Sequence, residues 1–323
     1  MVYTDRQARL TILSLALGAF AIGVTEFAAM GLLPYYAADL GVGEPTAGHA
    51  VSAYAIGVVV GAPVLAVLGS FLPRKLLLVL LVTFFMLANL LSSMATSIET
   101  LVISRVLSGL PHGAFLGIGM LFAAEMMPAG RKAAGVAQVL MGLTVANIIG
   151  VPAAGAIGQA FGWRWCFVLV AVIAAGSALM IARVAPQPQD GPAANPLREL
   201  SALANRAVWL TLLVGAVGFG GVFAVYSFFS AALINAAGAP EWVIPFALSG
   251  FGIGALEVMP PSMTFRPFHP STLKTGGMTA AQQMRSISLP SRAACRASTS
   301  VLSAPSFSGY STCGVERMAR SRR

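Results

Sequence analysis

Charge is what this sequence has least of. Only 10% of its 323 residues are Asp, Glu, Lys or Arg, against about a quarter in an ordinary soluble domain. With 57% hydrophobic residues, such a chain turns its surface to a lipid bilayer. Cysteine is nearly absent. Cys166, Cys295 and Cys313 are scattered, and no C-x-x-C or Cys/His cluster occurs, which argues against a disulfide framework or a structural metal site. No Walker loop is present, so ATP is not the expected energy source, and neither a cofactor nor an enzymatic activity is expected. A formal charge of +9 would suggest nucleic acid in a soluble protein. Here placement decides: nine of the 20 Lys and Arg residues lie beyond Glu257, and no nucleic-acid partner is expected. Beyond about Leu256 the chain also lacks any long apolar run.

Up to that point apolar runs dominate. A hydrocarbon core of ~30 Å needs about 20 predominantly apolar residues per helix. Eight stretches are candidate spans: Leu10–Tyr35, Gly48–Phe71, Lys75–Met94, Leu101–Met126, Ala133–Phe161, Trp163–Ile181, Ala207–Ala231 and Trp242–Leu256. The first follows Arg6 and Arg9 as a signal peptide would, but it is too long and contains Glu26, so it reads as a retained helix. The polar gap from Arg183 to Arg206, with PQPQDGP and NPLREL, reads as a linker. Starting from a cytoplasmic N-terminus, nine basic residues fall in inner segments: Arg6, Arg9, Arg74, Lys75, Arg131, Lys132, Arg183, Arg198 and Arg206. Arg164 alone falls in an outer loop, and Arg105 falls within a span. Cytoplasmic loops carry the Lys and Arg excess, so the N-terminus and the linker are expected inside.

The fold class expected is all-α and integral to the membrane. It comprises a six-helix bundle over 1–182, a linker over 183–206, two helices of a second bundle over 207–256 and a polar tail over 257–323. The tail holds 12 serines and only two acids, Glu257 and Glu316. It cannot bury enough apolar area to offset its ordering entropy and is expected to be disordered. Its abrupt onset fits a reading-frame change, a regulatory tail being the alternative.

A charge inside a membrane is costly and marks a functional candidate. Glu26 lies about 24 Å up the first span at ~1.5 Å per residue. The fourth span places Arg105 roughly 6 Å and His112 roughly 16 Å below its outer start. Seven residues apart, the two share a helix face. A Glu26–Arg105 pair with His112 nearby would serve proton coupling or substrate binding, or would be a static ion pair. His112, whose ordinary pKa of about 6.5 suits proton handling, reads equally as a buried histidine bonded to a backbone carbonyl. Asn147 and Gln138 read as helix-bridging amides, or as substrate contacts. Gly142, Gly150, Gly155 and Gly158 let helices approach, and Pro152 permits a bend. Gly57 and Gly61 read as packing positions, and Trp163 and Trp165 as interfacial anchors.

Several segments carry a family resemblance over roughly Leu10 to Gly254. They are GVTEFAAMGLLPYYAADLGV (Gly23–Val42), RVLSGLPHGAFLGIG (Arg105–Gly119), GLTVANIIGVPAAGAIG (Gly142–Gly158) and GGVFAVYSFF (Gly220–Phe229). Together they resemble the major facilitator superfamily, most closely the drug:proton antiporter branch with arabinose-efflux-like permeases. The loop GAPVLAVLGSFLPRKLL keeps the basic pair Arg74-Lys75 but departs from the family pattern. No acid occurs between Glu44 and Glu99, which puts an acid-based latch at that loop in doubt. The resemblance implies proton-driven efflux of a small molecule across the inner membrane by a monomer, with two bundles rocking around a midplane site. Against it stands a non-transporting truncated remnant or half-transporter with only an interaction role.

Overall fold

A buried backbone in lipid must satisfy its own hydrogen bonds, and helices do so within one segment. The computed structural model describes residues 4–69, 71–187 and 205–257, and among these every regular element is helical. Apart from 183–187, 205–206 and 257, the linker expected over 183–206 and the tail expected over 257–323 lie outside the described residues.

Helix α1 (Asp5–Gly31) starts where the Thr4 side chain accepts from the Gln7 backbone N–H at 3.2 Å, with Asp5 in the first turn. It stops at Leu32, one residue before the Leu33-Pro34 start of α2 (Leu33–Asp39), so the first span is shorter at its far end than the apolar run suggested. A short α3 (Glu44–Ala47) leads into α4 (His49–Gly69). The antiparallel α5 (Arg74–Ser93) follows. Helix α6 (Ile98–Glu125) opens with a reciprocal cap: Thr100 N–H donates to Ser97 Oγ at 3.3 Å, and Ser97 N–H to Thr100 Oγ1 at 3.1 Å. Both orphan donors of the first turn are thereby met.

The fifth span is continuous but not uniform. Helix α7 (Lys132–Val145) passes through one π turn (Ala146–Gly150) into α8 (Val151–Phe161). The π turn sits just before Pro152, which has no N–H to give and whose ring would strike the carbonyl four residues back. The bend expected at Pro152 therefore takes the form of a widened turn. Gly162, at φ +100°, makes the corner into α9 (Arg164–Val184). A side chain there would be strained.

Beyond the linker come α10 (Arg206–Ser227), α11 (Phe229–Asn235) and α12 (Ile244–Glu257). Seven helical stretches among the described residues are long and apolar enough to cross a membrane. The eighth expected span appears as α12, described over 14 residues. At 1.5 Å per residue that is about 21 Å, short of a full crossing.

The helices alternate in direction, so one end of the bundle carries Arg74 and the other carries Asp39. The core lies among α1, α5, α6, α7 and α9, with Leu15, Leu78, Leu101, Val139 and Cys166 all fully buried. Helices α4 and α6 meet backbone to backbone. A β-carbon added to Gly57 or Gly61 would collide with the carbonyl oxygens of Val106 or Leu110. Near its Asp39 end helix α10 packs on α1, where Phe27 stacks on Phe223 (5.6 Å between ring centres) and meets Tyr226 edge-on (5.4 Å). Toward its Arg206 end Trp209, Leu213, Val214 and Val217 stand exposed.

Candidate functional site

Arg105 is the largest of the fully buried side chains, at 1% exposure. Its guanidinium reaches across to α1: Nη1 donates to Thr25 Oγ1 at 3.0 Å and Nη2 to the Thr25 carbonyl at 3.2 Å. Nη1 also lies 3.5 Å from Ser108 Oγ, one turn along α6. The Tyr54 ring (4.3 Å) and the Phe167 ring (5.5 Å) flank the guanidinium carbon. Desolvated cation–π contacts of this kind contribute about 2 kcal/mol. Thr25 is in turn braced by Asn89: its hydroxyl donates to Asn89 Oδ1 at 2.6 Å, and Asn89 Nδ2 donates to the Phe85 carbonyl at 2.8 Å. One buried polar network thus ties α1, α5 and α6 together.

The expected Glu26–Arg105 ion pair is not formed. The ion pairs among the described residues are Arg74–Glu125 and Arg164–Asp39. Successive helical residues point about 100° apart, and the guanidinium takes Thr25, on the sealed face of α1. Glu26 is left half-buried beside it, with no hydrogen bond or ion pair among the described residues. Arg105 remains near enough for its charge to act on Glu26. His112 does fall in the same cluster, but through Tyr54. The Tyr54 hydroxyl and His112 Nδ1 are 2.7 Å apart, with the rings edge-to-face at 5.7 Å. The backbone-carbonyl partner expected for His112 is therefore a phenol instead.

Asn147 does not bridge helices. It lies in the π turn, half-buried, and donates to Leu143 on its own helix at 3.3 Å. Gly142 and Gly150 bring α7 and the π turn onto α1, where added β-carbons would collide with Ala16 and Val24. Gly155 faces α12 instead, with Pro245 3.9 Å from an added β-carbon. A cleft of about 600 Å³ opens beside it between α8 and α12, lined by Pro152, Gln159, Trp242 and Phe246 among others. It holds none of the intramembrane charges, so the Arg105 cluster is the stronger candidate site.

Both ends of the bundle are clasped. At one end Arg74 pairs with Glu125, half-exposed on both sides, so the acid missing from the loop before α5 is supplied by the last residue of α6. Lys75 is beside this pair in sequence and half-buried. At the other end Arg164 Nη1 donates to Asp39 Oδ2 at 2.6 Å and Nη2 to the Ala95 carbonyl at 2.8 Å, while Trp163 Nε1 donates to the same Asp39 oxygen at 3.1 Å. The Arg164 hydrogen bond, then that of Trp163, holds the Asp39 carboxyl below its ordinary range. Trp163 is thereby a buried strut, 3% exposed, rather than the lipid anchor expected; Trp165 is exposed. The same end joins the six-helix unit to the helices beyond the linker. Gln159 Nε2 donates to Tyr35 Oη at 3.1 Å and to the Glu241 carbonyl at 3.0 Å, and Asn235 Nδ2 donates to Glu44 Oε1 at 3.0 Å.

Sequence reasoning missed Thr25, Tyr54, Asn89, Ser108 and Glu125. Asn89 left a usable signal, an amide inside the run LVTFFMLANLL. Hydroxyls and aromatics in a span leave none, because their role depends on how the helix is rotated. Among the described residues no three His, Cys, Asp or Glu side chains converge as metal ligands.

Comparison with known proteins agrees with the all-helical fold. The family model described as Major Facilitator Superfamily matches residues 15–270. Inner membrane transport protein YdhP of Escherichia coli K12 is 41% identical over 245 residues, covering 75% of this chain and 62% of YdhP. The putative transporter AraJ of the same organism and a chloramphenicol resistance protein of Streptomyces lividans are each 36% identical, with the same two coverages. The chain thus spans 62% of the length of these relatives. Among solved structures, a bacterial homologue of the human lysosomal transporter Spinster, inward-facing and occupied, aligns at 17% identity with a TM-score of 0.62. That alignment covers 83% of this chain and 63% of the other. A D-xylose–proton symporter aligns at 16% identity with a TM-score of 0.55, over 77% of this chain and 66% of that one. At such identities these two bear on the fold alone. With the family model matched across most of its length and a 41% identical relative, this multi-pass membrane protein belongs to the Major Facilitator Superfamily.

Proposed function

We propose that this protein carries a small molecule out of the cell across the inner membrane, driven by protons. The N-terminus and the 183–206 linker lie in the cytoplasm, in keeping with the nine-to-one excess of basic residues in the sequence segments expected inside. Residues 1–182 act as one bundle and 207–256 begin its counterpart, with the transported molecule and the proton meeting between them.

One observation carries this reading. Glu26 is a carboxylate well inside a span, half-buried and without a hydrogen-bond or ion-pair partner among the described residues. A carboxylate held purely for structure would be paired, since an unpaired charge in low dielectric is costly. One left free beside a fixed cation is placed to take up a proton from one side and release it to the other. Arg105 supplies the standing positive field, and its own hydrogen bonds keep it where it is. Asn147, in the π turn, is a candidate contact for the transported molecule, and the turn before Pro152, with Gly142, Gly150 and Gly155, is the candidate flexing segment. Arg74 and Lys75 act at the cytoplasmic end, the first as a latch to Glu125.

The names of the relatives supply a first probe, chloramphenicol. In cells and in reconstituted vesicles, Glu26→Gln is expected to abolish proton-gradient-driven chloramphenicol export while membrane insertion and expression stay within about twofold of the parent. Export that persists unchanged in the variant would reduce Glu26 to a structural residue.

A further inference from the structure

The Tyr54–His112 contact contains more than a packing interaction. Tyr54 is 3% exposed, and His112 Nδ1 is the hydrogen-bond partner of its hydroxyl among the described residues. A phenol has one hydrogen to give, and a neutral imidazole has one N–H and one bare nitrogen. If Nδ1 carried the hydrogen and donated to the phenol oxygen, the Tyr54 hydroxyl hydrogen would be left buried without an acceptor. A buried donor left unmade in this way is costly. If the phenol donates instead, both atoms are satisfied and the imidazole hydrogen sits on Nε2. The second arrangement is favoured because Nε2 lacks a partner among the described residues in either tautomer, whereas the buried hydroxyl is paired only in the second.

Two features hold Tyr54 to this task. The close α4–α6 approach at Gly57, Gly61 and Gly109 fixes the backbone that carries it, since a β-carbon added to Gly109 would collide with the Tyr54 carbonyl. Arg105 rests on its ring at 4.3 Å, so the phenol cannot turn away without uncovering the guanidinium. Nε2 of His112, by contrast, has no acceptor among the described residues, and it is not sealed off from the surroundings: His112 is only half-buried. Fixing one ring nitrogen fixes what the other can offer.

We propose that Tyr54 is a positioning residue that locks His112 as its Nε2–H tautomer, and that this N–H is a free donor for an acceptor oxygen of the transported molecule. This rests on the reading above that the Glu26–Arg105 neighbourhood is the transport site. A carbonyl, hydroxyl or ether oxygen satisfies such a donor, whereas an ammonium group does not. Discrimination follows from leaving the wrong partner's polar group unpaired.

The test uses the full chain in lipid nanodiscs, labelled with ¹⁵N-histidine. The chain has three histidines, so His49→Gln with His269→Gln leaves His112 as the reporter. The expected spectrum has a pyridine-type Nδ1 shifted by a hydrogen bond and a pyrrole-type Nε2 bearing the proton. Tyr54→Phe, which keeps the ring under Arg105, should remove the Nδ1 shift and allow both tautomers. A pyrrole-type Nδ1 in the parent, or protons on both nitrogens, overturns the tautomer assignment. Two probes of similar shape test the ligand class, N,N-dimethylbenzamide and N,N-dimethylbenzylammonium. The amide is expected to move the Nε2 resonance and the ammonium to leave it; no response to the amide, or an equal response to both, overturns the acceptor-oxygen assignment. Neither readout involves export, so failure of the Glu26 variant test and failure of this one are separable.

Discussion

Arg105 carries its charge inside a span with no carboxylate in contact. Two bonds to Thr25, a contact with Ser108 and two aromatic faces stand in for one. Such an arrangement favours arginine over lysine, because a planar fork can bond and stack at once. The sequence marks Arg105, Glu26 and His112 because ionisable groups in apolar runs are rare. It does not mark Thr25 as the partner, since Thr25 and Glu26 are neighbours and only the rotation of α1 about its axis chooses between them. At the surface, Asp39 offers a cleaner test. Its pKa is depressed in the folded state by Arg164 and Trp163, so its contribution is present above the ordinary carboxylate pKa of about 3.9 and is lost as pH falls below that. Both partners are more than a third exposed, which limits the contribution to under about 1 kcal/mol. Thermal unfolding in detergent should therefore show a small loss of stability for the parent as pH falls below about 4. Asp39→Asn should be less stable at neutral pH and should lack that step.

At the scale of elements, the α4–α6 seam is the tightest test of packing. The Gly57-x-x-x-Gly61 spacing is legible as a packing motif in sequence, and the structure supplies its partner, the Val106 and Leu110 backbone. Gly61→Ala forces the helices apart where backbone, not a flexible side chain, is in the way. Overpacking of this sort costs about 1–3 kcal/mol. Gly215→Ala on α10, where nothing lies within 4 Å of an added β-carbon, should be neutral or slightly stabilising. Paired melting curves in the same detergent would check both, and equal shifts would mean that the seam is looser than it looks. The fifth span shows the limit of sequence. Pro152 located the irregularity, but a π turn rather than a kink reflects which carbonyls find partners, and that is set by neighbouring helices. Likewise, the end of α1 at Leu32 was hidden because the apolar run continues past the point where Pro34 starts a new helix.

For the whole molecule, the alternating helices put Arg74, Glu125 and Lys132 at one end and Asp39, Arg164 and Glu241 at the other. Charge counting along the sequence separates the same two groups, because a helical hairpin in lipid leaves only two ends for its loops. Reporter fusions after Lys132 and within 183–206 should read cytoplasmic, and fusions near Asp39 or Glu99 should read external. A periplasmic signal at the linker would invert the whole assignment.

The bonds at the Asp39 end also set a balance of populations. Gln159 meets the Glu241 carbonyl and Asn235 meets Glu44, so the two sets of helices are bonded to each other at that end. A net hydrogen bond is worth about 1 kcal/mol, so the two that cross amount to roughly 2 kcal/mol. At 1.4 kcal/mol per factor of ten, that favours the joined arrangement by roughly thirtyfold. Parting the helices at these two bonds alone would then be a minority state of about a few per cent. A clasp made of two amides is adjustable, since removing a single side chain such as that of Gln159 takes away one of its two bonds.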